Sequence, residues 1–408
     1  MNQNILVLNC GGSSIKYKLF HFPDEISIAE GSVQGLSGVK GRVTHKVRGE
    51  SMIVREELIS NYQSGLHLLI QHLLNSKLIH TLDSGQPENF VIAHKIAHGG
   101  EKVGKVEFID NKIEKAIADM GVVTSVHNPS MLQAIRAMRV VAPDIPQFAF
   151  FETGFHQTNP KCASVYGLPF ELAKTYGLRK FGFHGASHQY ISQTVPEILK
   201  CASGDLRLIS IHLGSGTSVA AIKDGCSLDV SSGFTPQSGT IMSTRAGDFD
   251  PEVIIYLLAH NLLSLMEIRE MLNNQAGLAG ISGIAGGDIR EIEAAAKNGY
   301  PRAKLALEVF CYGIKKYIGA FAVTLQGIDA ISFTGGIGEH DPFIRHQICQ
   351  GMEWLGIHID TALNDSVLET GIIHQEKSSV KIVVLPTNEE LIVAREVAGF
   401  SAKQLFNS

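Results

Sequence analysis

The sequence predicts an α/β or α+β protein with two domains of similar topology, and three observations carry that prediction. The chain has 408 residues, between two and three times the ~150 residues of an ordinary domain. Residues 4–20 and 207–222 read alike, each a branched apolar run, a Gly/Ser turn and a second strand-like run. Asn9 and His212 hold equivalent places in the two stretches, 203 residues apart and close to half the chain. Amphipathic helical stripes fall between the strand-like runs, which excludes an all-α fold.

The elements follow in order. Ile5 to Leu8 form a strand that runs into Gly11-Gly12-Ser13-Ser14 and returns, an antiparallel hairpin. Leu66, Leu69, Ile70, Leu73 and Leu74 make a helical stripe. Asn128 is expected to cap a helix with Pro129 in its first turn, before Leu132, Ile135 and Met138. Leu208 to Ile211 open the second hairpin, through Gly214-Ser215-Gly216. Tyr300-Pro301 start a long amphipathic helix towards Leu325, Ala330 to Phe333 form a strand before Gly335, and Asn388 caps a last helix that Gly399 closes. No linker rich in Pro, Ser or charge separates the halves.

Composition narrows the function. The chain carries 35 Lys+Arg against 40 Asp+Glu, a net charge of −5, which excludes a broadly basic nucleic-acid binder or a polybasic membrane surface. No apolar run reaches the ~18 residues of a membrane span, and Met1 to Leu8 lack the pattern of a signal peptide. Six cysteines without a Cys-x-x-Cys pair suit a reduced, cytoplasmic enzyme rather than a disulfide scaffold. Glycine is the outlier: 41 residues, about 10% against a usual ~7%. Several glycine clusters directly follow short apolar runs, the arrangement that brings backbone amides up to phosphate oxygens.

Three such turns are phosphate candidates: Asn9 to Ser14 with Lys16 nearby, His212 to Ser218, and Gly335-Gly336-Ile337-Gly338-Glu339. Each alone is also an ordinary turn, but together they point to a nucleotide. Gly99 to Val106 nearly matches a P-loop, yet Val106 stands where Ser or Thr must hold Mg²⁺ and a strand follows, so that reading is rejected. Glu152 follows an aromatic apolar run, and His184 and His188 lie among small residues without the Glu of a zinc-protease motif. Arg245 suits a planar anion or, equally, a structural pair with Asp248.

These residues carry a resemblance over nearly the whole chain. VLNCGGSSIKYKLF, HKIAHGGE, FFETGFHQTNP, RKFGFHGASH, HLGSGTS, SSGFTPQSGTIMSTRAGDFDPE, AGLAGISGIAGGDIRE, ISFTGGIGEHD and PTNEELIVARE resemble the acetokinase family, the acetate and propionate kinases. The resemblance implies two ribonuclease-H-like domains of the actin/hexokinase/Hsp70 (acetate and sugar kinase) superfamily with an interdomain cleft. The expected domains are 1–150 with 386–408, and 151–385 as the nucleotide-binding one. It implies reversible, Mg²⁺-dependent transfer of the ATP γ-phosphoryl group to a short carboxylate, giving ADP and an acyl phosphate. Manganese is the alternative ion. A homodimer is the family expectation, with phosphate acetyltransferase as pathway neighbour and no nucleic-acid or membrane partner.

Carried over by position, Asn9 and Glu389 are the metal residues and Lys16 contacts phosphate. His212, Leu213, Gly214, Ser215, Gly216, Asp288, Ile289, Arg290 and Gly335 to Glu339 (Gly335, Gly336, Ile337, Gly338, Glu339) line the ATP site. Glu152, His184 and Arg245 are the catalytic set, the last two stabilising an in-line, metaphosphate-like transition state. Lys95, Ala97, Val126, Phe183 and Pro236 face the carboxylate substrate. The departures are Lys95 for Arg, which loses a bidentate fork, Glu152 for Asp, Ser215 for Asn, Gly12 for Ser, and Gln237-Ser238 for Leu-Glu. Ala97 and Val126 for bulkier Val and Leu imply a roomier pocket unless a neighbour refills it. The rival reading is a propionate or short-chain fatty acid kinase, or a catalytically weakened nucleotide-binding relative.

Overall fold

Strand β1 (Gln3–Gly11) buries Ile5, Leu6, Val7 and Leu8, and Gly11 pairs directly with Ser14 so that β2 (Ser14–Phe22) returns beside it. That two-residue connection is where the Gly/Ser turn was expected. The computed structural model describes residues 3–36, 40–78, 90–202, 204 and 206–407, without the side chains of 403–407; Met1 and Asn2 of the amino-terminal stretch lie outside them. The chain divides into two compact units, Met1–Gly154 with Asn388–Ser408, and Phe155–Thr387.

In the first unit β3 (Ile26–Gln34), β4 (Lys40–Val47) and β5 (Ile53–Leu58) extend the antiparallel side of the sheet. β6 (Phe90–Ile96) and β8 (Gln147–Phe151) run parallel to β1, and β7 (Val106–Phe108) closes the edge, giving the order β5-β4-β3-β2-β1-β6-β8-β7. The helices Tyr62–Asn75 and Asn128–Val141 cover it with Leu66, Leu69, Leu73, Ala134 and Met138, packed on Leu6, Leu8 and Ile92.

The second unit repeats this plan. β9 (Arg207–Leu213), β10 (Thr217–Lys223) and β11 (Cys226–Val230) form an antiparallel meander. β12 (Ala330–Thr334) and β14 (Lys381–Val384) run parallel to β9, with β13 (Gly371–Ile372) at the edge, in the order β11-β10-β9-β12-β14-β13. The sub-orders β3-β2-β1-β6-β8 and β11-β10-β9-β12-β14 are the same, which is the duplication read from the two hairpins and the ribonuclease-H-like topology of the fold class. Helix Pro301–Thr324 buries Ala303, Ala306, Leu307, Phe310, Ile314, Ile318 and Phe321, spaced three and four apart as one helical face.

Two local expectations are corrected. Asn128 is not a cap: it is the first residue of its helix, and its buried amide donates to the carbonyls of His98 and Ile117 instead, tying three segments together. Gly399 does not end the last helix, which runs Glu389–Asn407, because helix geometry tolerates a glycine wherever packing on either side holds the turn. Asn388 does cap it, accepting from Leu391 N at 3.3 Å. All six cysteines are unpaired, and no helix among the described residues is long and apolar enough to cross a membrane.

Candidate active site

In the first unit, parallel pairing aligns the carboxyl ends of three neighbouring strands, the edge where open α/β sheets bind ligands. Leu8 pairs with His94 and Lys95 with Phe150, so Asn9, Lys95 and Glu152 arrive together at that edge. Helix Glu389–Asn407 begins there too. Lys95 Nζ lies 2.9 Å from Glu152 Oε1 and donates to Glu389 Oε2. The three side chains are only 12%, 8% and 15% exposed, so water screens the triad weakly. Burial alone would pull the ammonium down, but Glu152 and then Glu389 outweigh it and hold Lys95 charged above the usual lysine range.

Lys16 stands directly opposite Asn9 across the hairpin and is exposed, while Lys18 pairs with Glu390 at 3.7 Å. Asn9 and Glu389 offer hard oxygen donors, the chemistry Mg²⁺ takes when phosphate oxygens and water complete its shell. Among the described residues no cluster of three His, Cys, Asp or Glu forms a dedicated cage, and the two-donor set fits an ion that arrives with a phosphate. Ala97 is buried, with its amide 3.3 Å from the sulfur of Met131, and both belong to one apolar cluster. Val126 is 47% exposed, so only Ala97 is enclosed by neighbours.

In the second unit, β9 delivers Gly214-Ser215-Gly216 and β12 delivers Gly335, again at carboxyl ends. Gly335 has φ +77°, and a Cβ there would sit 2.7 Å from Leu213 O, so glycine is required for the strand to turn into helix Gly335–His340. Asp288 caps helix Ile289–Lys297 through Arg290 N and is ion-paired with the exposed Arg290 guanidinium. Gly214, Ser215, Asp288, Ile289, Arg290, Gly336 and Ile337 line one cleft of about 750 Å³, within the range of small-molecule sites. Leu213 is fully buried in the core and Gly338 is buried, so these contribute backbone. Glu339 turns back to accept from Gly335 N at 2.8 Å.

Glu293 and Lys297 also line this cleft and were not singled out from sequence. They follow Ile289 at steps of four, the signal by which that helix face is found. Burial first, and then a hydrogen bond with Asp341, pushes the Glu293 carboxyl up to about 7.

His184 has φ +56° at the start of helix Gly185–Leu199, and its ring stacks on His212 with centroids 4.3 Å apart. A Cβ on Gly216 would lie 3.0 Å from His184 Nε2, so this nitrogen faces the glycine loop. The second histidine of the pair, His188, is fully buried and bonds Ser210 and Ser218. Arg245 is half-buried, and burial pulls its guanidinium down. Its loop is tied to the glycine loop by Ser243 N donating to Ser215 O at 3.2 Å, and to the start of helix Gly277–Ser282 by Leu278 N donating to Met242 O. Asp248 accepts from Gly239 N and from the Tyr317 hydroxyl. Phe183 is buried with its carbonyl accepting from His156, and Pro236 is half-buried in the loop after β11.

Comparison with known proteins agrees with this geometry. The profile of the acetokinase family matches residues 4–395. The chain is 40% identical over 393 residues to an acetate kinase of Acetivibrio thermocellus, covering 96% of this chain and 98% of that protein. Among solved structures it resembles acetate kinase of Porphyromonas gingivalis (TM-score 0.84, 36% identity, 97% of this chain and 98% of that one). It also resembles a propionate kinase of Francisella tularensis (TM-score 0.87, 35% identity, 97% and 98%). With the fold, the glycine turns and nearly the whole length in agreement, the chain belongs to the acetokinase family.

Proposed function

We propose that this kinase transfers the γ-phosphoryl group of ATP reversibly to acetate, forming acetyl phosphate and ADP. The observation that carries the reading is the cleft of about 750 Å³ into which three glycine-rich or capped segments, far apart in sequence, converge. Gly214 to Gly216, Asp288 to Arg290 and Gly335 to Glu339 bind the nucleotide. His184 and Arg245 donate to the equatorial oxygens as charge builds, and little else is needed, because an ionised carboxylate is already a competent nucleophile. Lys95, held by Glu152, orients the acid, and Ala97 and Val126 in the first unit and Phe183 and Pro236 in the second are its apolar contacts. Asn9 and Glu389 hold Mg²⁺ (or Mn²⁺), which supplies neutralisation of phosphate charge when bound, and Lys16 meets the phosphates.

A homodimer is part of this reading. Its support is helix Glu252–Ala259, which has no buried residue and exposes Val253, Ile255, Tyr256 and Leu258, an apolar surface of the kind that marks an interface. The unpaired cysteines suit a cytoplasmic site, and phosphate acetyltransferase is the enzyme class that would use the acyl phosphate. A coupled assay for ADP with acetate and with propionate tests the function. No ADP with either acid would leave the weakened nucleotide-binding relative. A preference for propionate would favour the second reading, which the likeness to a propionate kinase supports.

A further inference from the structure

Behind His184 stands a row of buried hydrogen-bonding groups. Ser210 Oγ lies 2.8 Å from His188 Nδ1, His188 Nε2 lies 2.7 Å from Ser218 Oγ, and Ser218 Oγ lies 2.8 Å from His184 Nδ1. Ser210, His188 and Ser218 are each 0% exposed. In such a place a polar hydrogen without an acceptor carries its full desolvation penalty, so the row must choose a direction. Burial keeps His188 neutral, well below the usual histidine range, and it therefore carries one ring hydrogen.

The two directions are not equivalent. With the hydrogen on Nδ1, His188 donates to Ser210, whose own hydroxyl hydrogen then has no place in the row. With it on Nε2, every hydrogen is used. Ser210 donates to His188 Nδ1, His188 Nε2–H donates to Ser218, and Ser218 donates to His184 Nδ1. His184 then keeps its hydrogen on Nε2, the nitrogen facing Gly216. The neighbouring His156 shows the same polarity without any choice. Its Nε2 lies 3.0 Å from the Phe183 carbonyl, which can only accept, so Nε2 carries the hydrogen and the Ser227 hydroxyl donates to Nδ1 at 2.8 Å.

We propose that Ser218 and His188 are positioning residues that hold His184 as a neutral imidazole with its hydrogen on Nε2, aimed as a donor at the transferring phosphoryl group. The tautomer follows from the row itself, while its use on a phosphoryl group rests on the function proposed above. Ser218 sets which nitrogen donates, and His188 sets which way Ser218 points. The stacked His212 ring, itself bonded to Ser187 Oγ at 2.8 Å, fixes the plane in which the Nε2–H lies.

The test reads the tautomer directly. In protein labelled with ¹⁵N at histidine, long-range ¹H–¹⁵N correlation spectra near pH 7, with His184 assigned by its loss in His184→Gln, should show the Nε2–H form. Ser218→Ala should admit the Nδ1–H form and lower kcat roughly 10²-fold, the usual cost of losing one aligned donor, while KM for ATP and for the acid stays nearly unchanged. Ser218→Thr, which keeps the hydroxyl, should restore both. In a His184→Ala background, Ser218→Ala should add nothing. Finding His184 as Nδ1–H or imidazolium in the parent protein overturns the proposal, as does an unchanged tautomer in Ser218→Ala. If that variant does not fold, Ser210→Ala removes only the far hydroxyl and should still shift the tautomer balance; an unchanged balance there also overturns it. The spectrum needs no turnover, so absent kinase activity would overturn the function without touching the tautomer.

Discussion

Lys95 and Glu152, the two charged residues that depart from the family pattern, are ion-paired with each other at 2.9 Å. Lysine is shorter than the expected arginine and glutamate is longer than the expected aspartate, so the two differences in length offset each other across the pair. Lys95→Arg alone and Glu152→Asp alone should each lower kcat/KM for the acid, by about tenfold or more, through the misplacement that small shifts at such sites produce. The double exchange should recover most of the loss. Additive losses in the double variant, measured as a double-mutant cycle, would show the two positions to be independent.

Removing the cation should be worse than exchanging it. Lys95→Met leaves Glu152 and Glu389 facing the same low-dielectric space, and an uncompensated buried charge costs about 3–5 kcal/mol. Urea unfolding at pH 7 should show a loss of this size, and adding Glu152→Gln should return part of it. A change within 0.5 kcal/mol, about the scatter of surface substitutions, would mean that the triad is hydrated in solution.

Arg245 is half-buried on a loop tied to the glycine loop, and the function proposed above aims its guanidinium at the transferring phosphoryl group. Arg245→Ala should lower kcat about 10²–10³-fold with little change in thermal stability. A variant that keeps parental turnover, or that melts much earlier, would assign Arg245 to the scaffold.

The Met131 sulfur lies 3.3 Å from the Ala97 amide, and both residues belong to one buried apolar cluster. Met131→Ala should therefore favour longer acids, raising kcat/KM for propionate and butyrate relative to acetate by about tenfold, the worth of a well-accommodated methylene. Competition kinetics with the three acids measures this directly. An unmoved ratio would place the size limit elsewhere.

Burial lowers His156 from 6.5 to about 4. A base whose native pKa is depressed stabilises the fold above the unfolded value near 6.5 and loses that contribution as pH falls towards 4. Between pH 7 and pH 5 the loss is about 2 kcal/mol. His156→Gln should flatten the stability profile over this interval in urea titrations, and an equally steep profile would assign the acid sensitivity to other groups.

Much of the fold was legible in the sequence. Branched runs before Gly11 and Gly214 marked both hairpins, and Tyr300-Pro301 marked the start of the long helix. Those patterns are local, because backbone hydrogen bonding repeats every two residues in a strand and every 3.6 in a helix. The glycine turns that line the cleft of the second unit were legible for the same reason, since a turn's chemistry sits within a few consecutive residues. Only the tertiary structure decided who stands beside whom. Lys95 meets Glu389 across 294 residues of chain. Asn128 leaves its capping role for the carbonyls of His98 and Ile117, Met131 lies against Ala97, and Ser218 joins His188 to His184. Such partners are chosen by strand order and by the need to satisfy buried polar groups, and neither is written in the spacing of neighbouring residues.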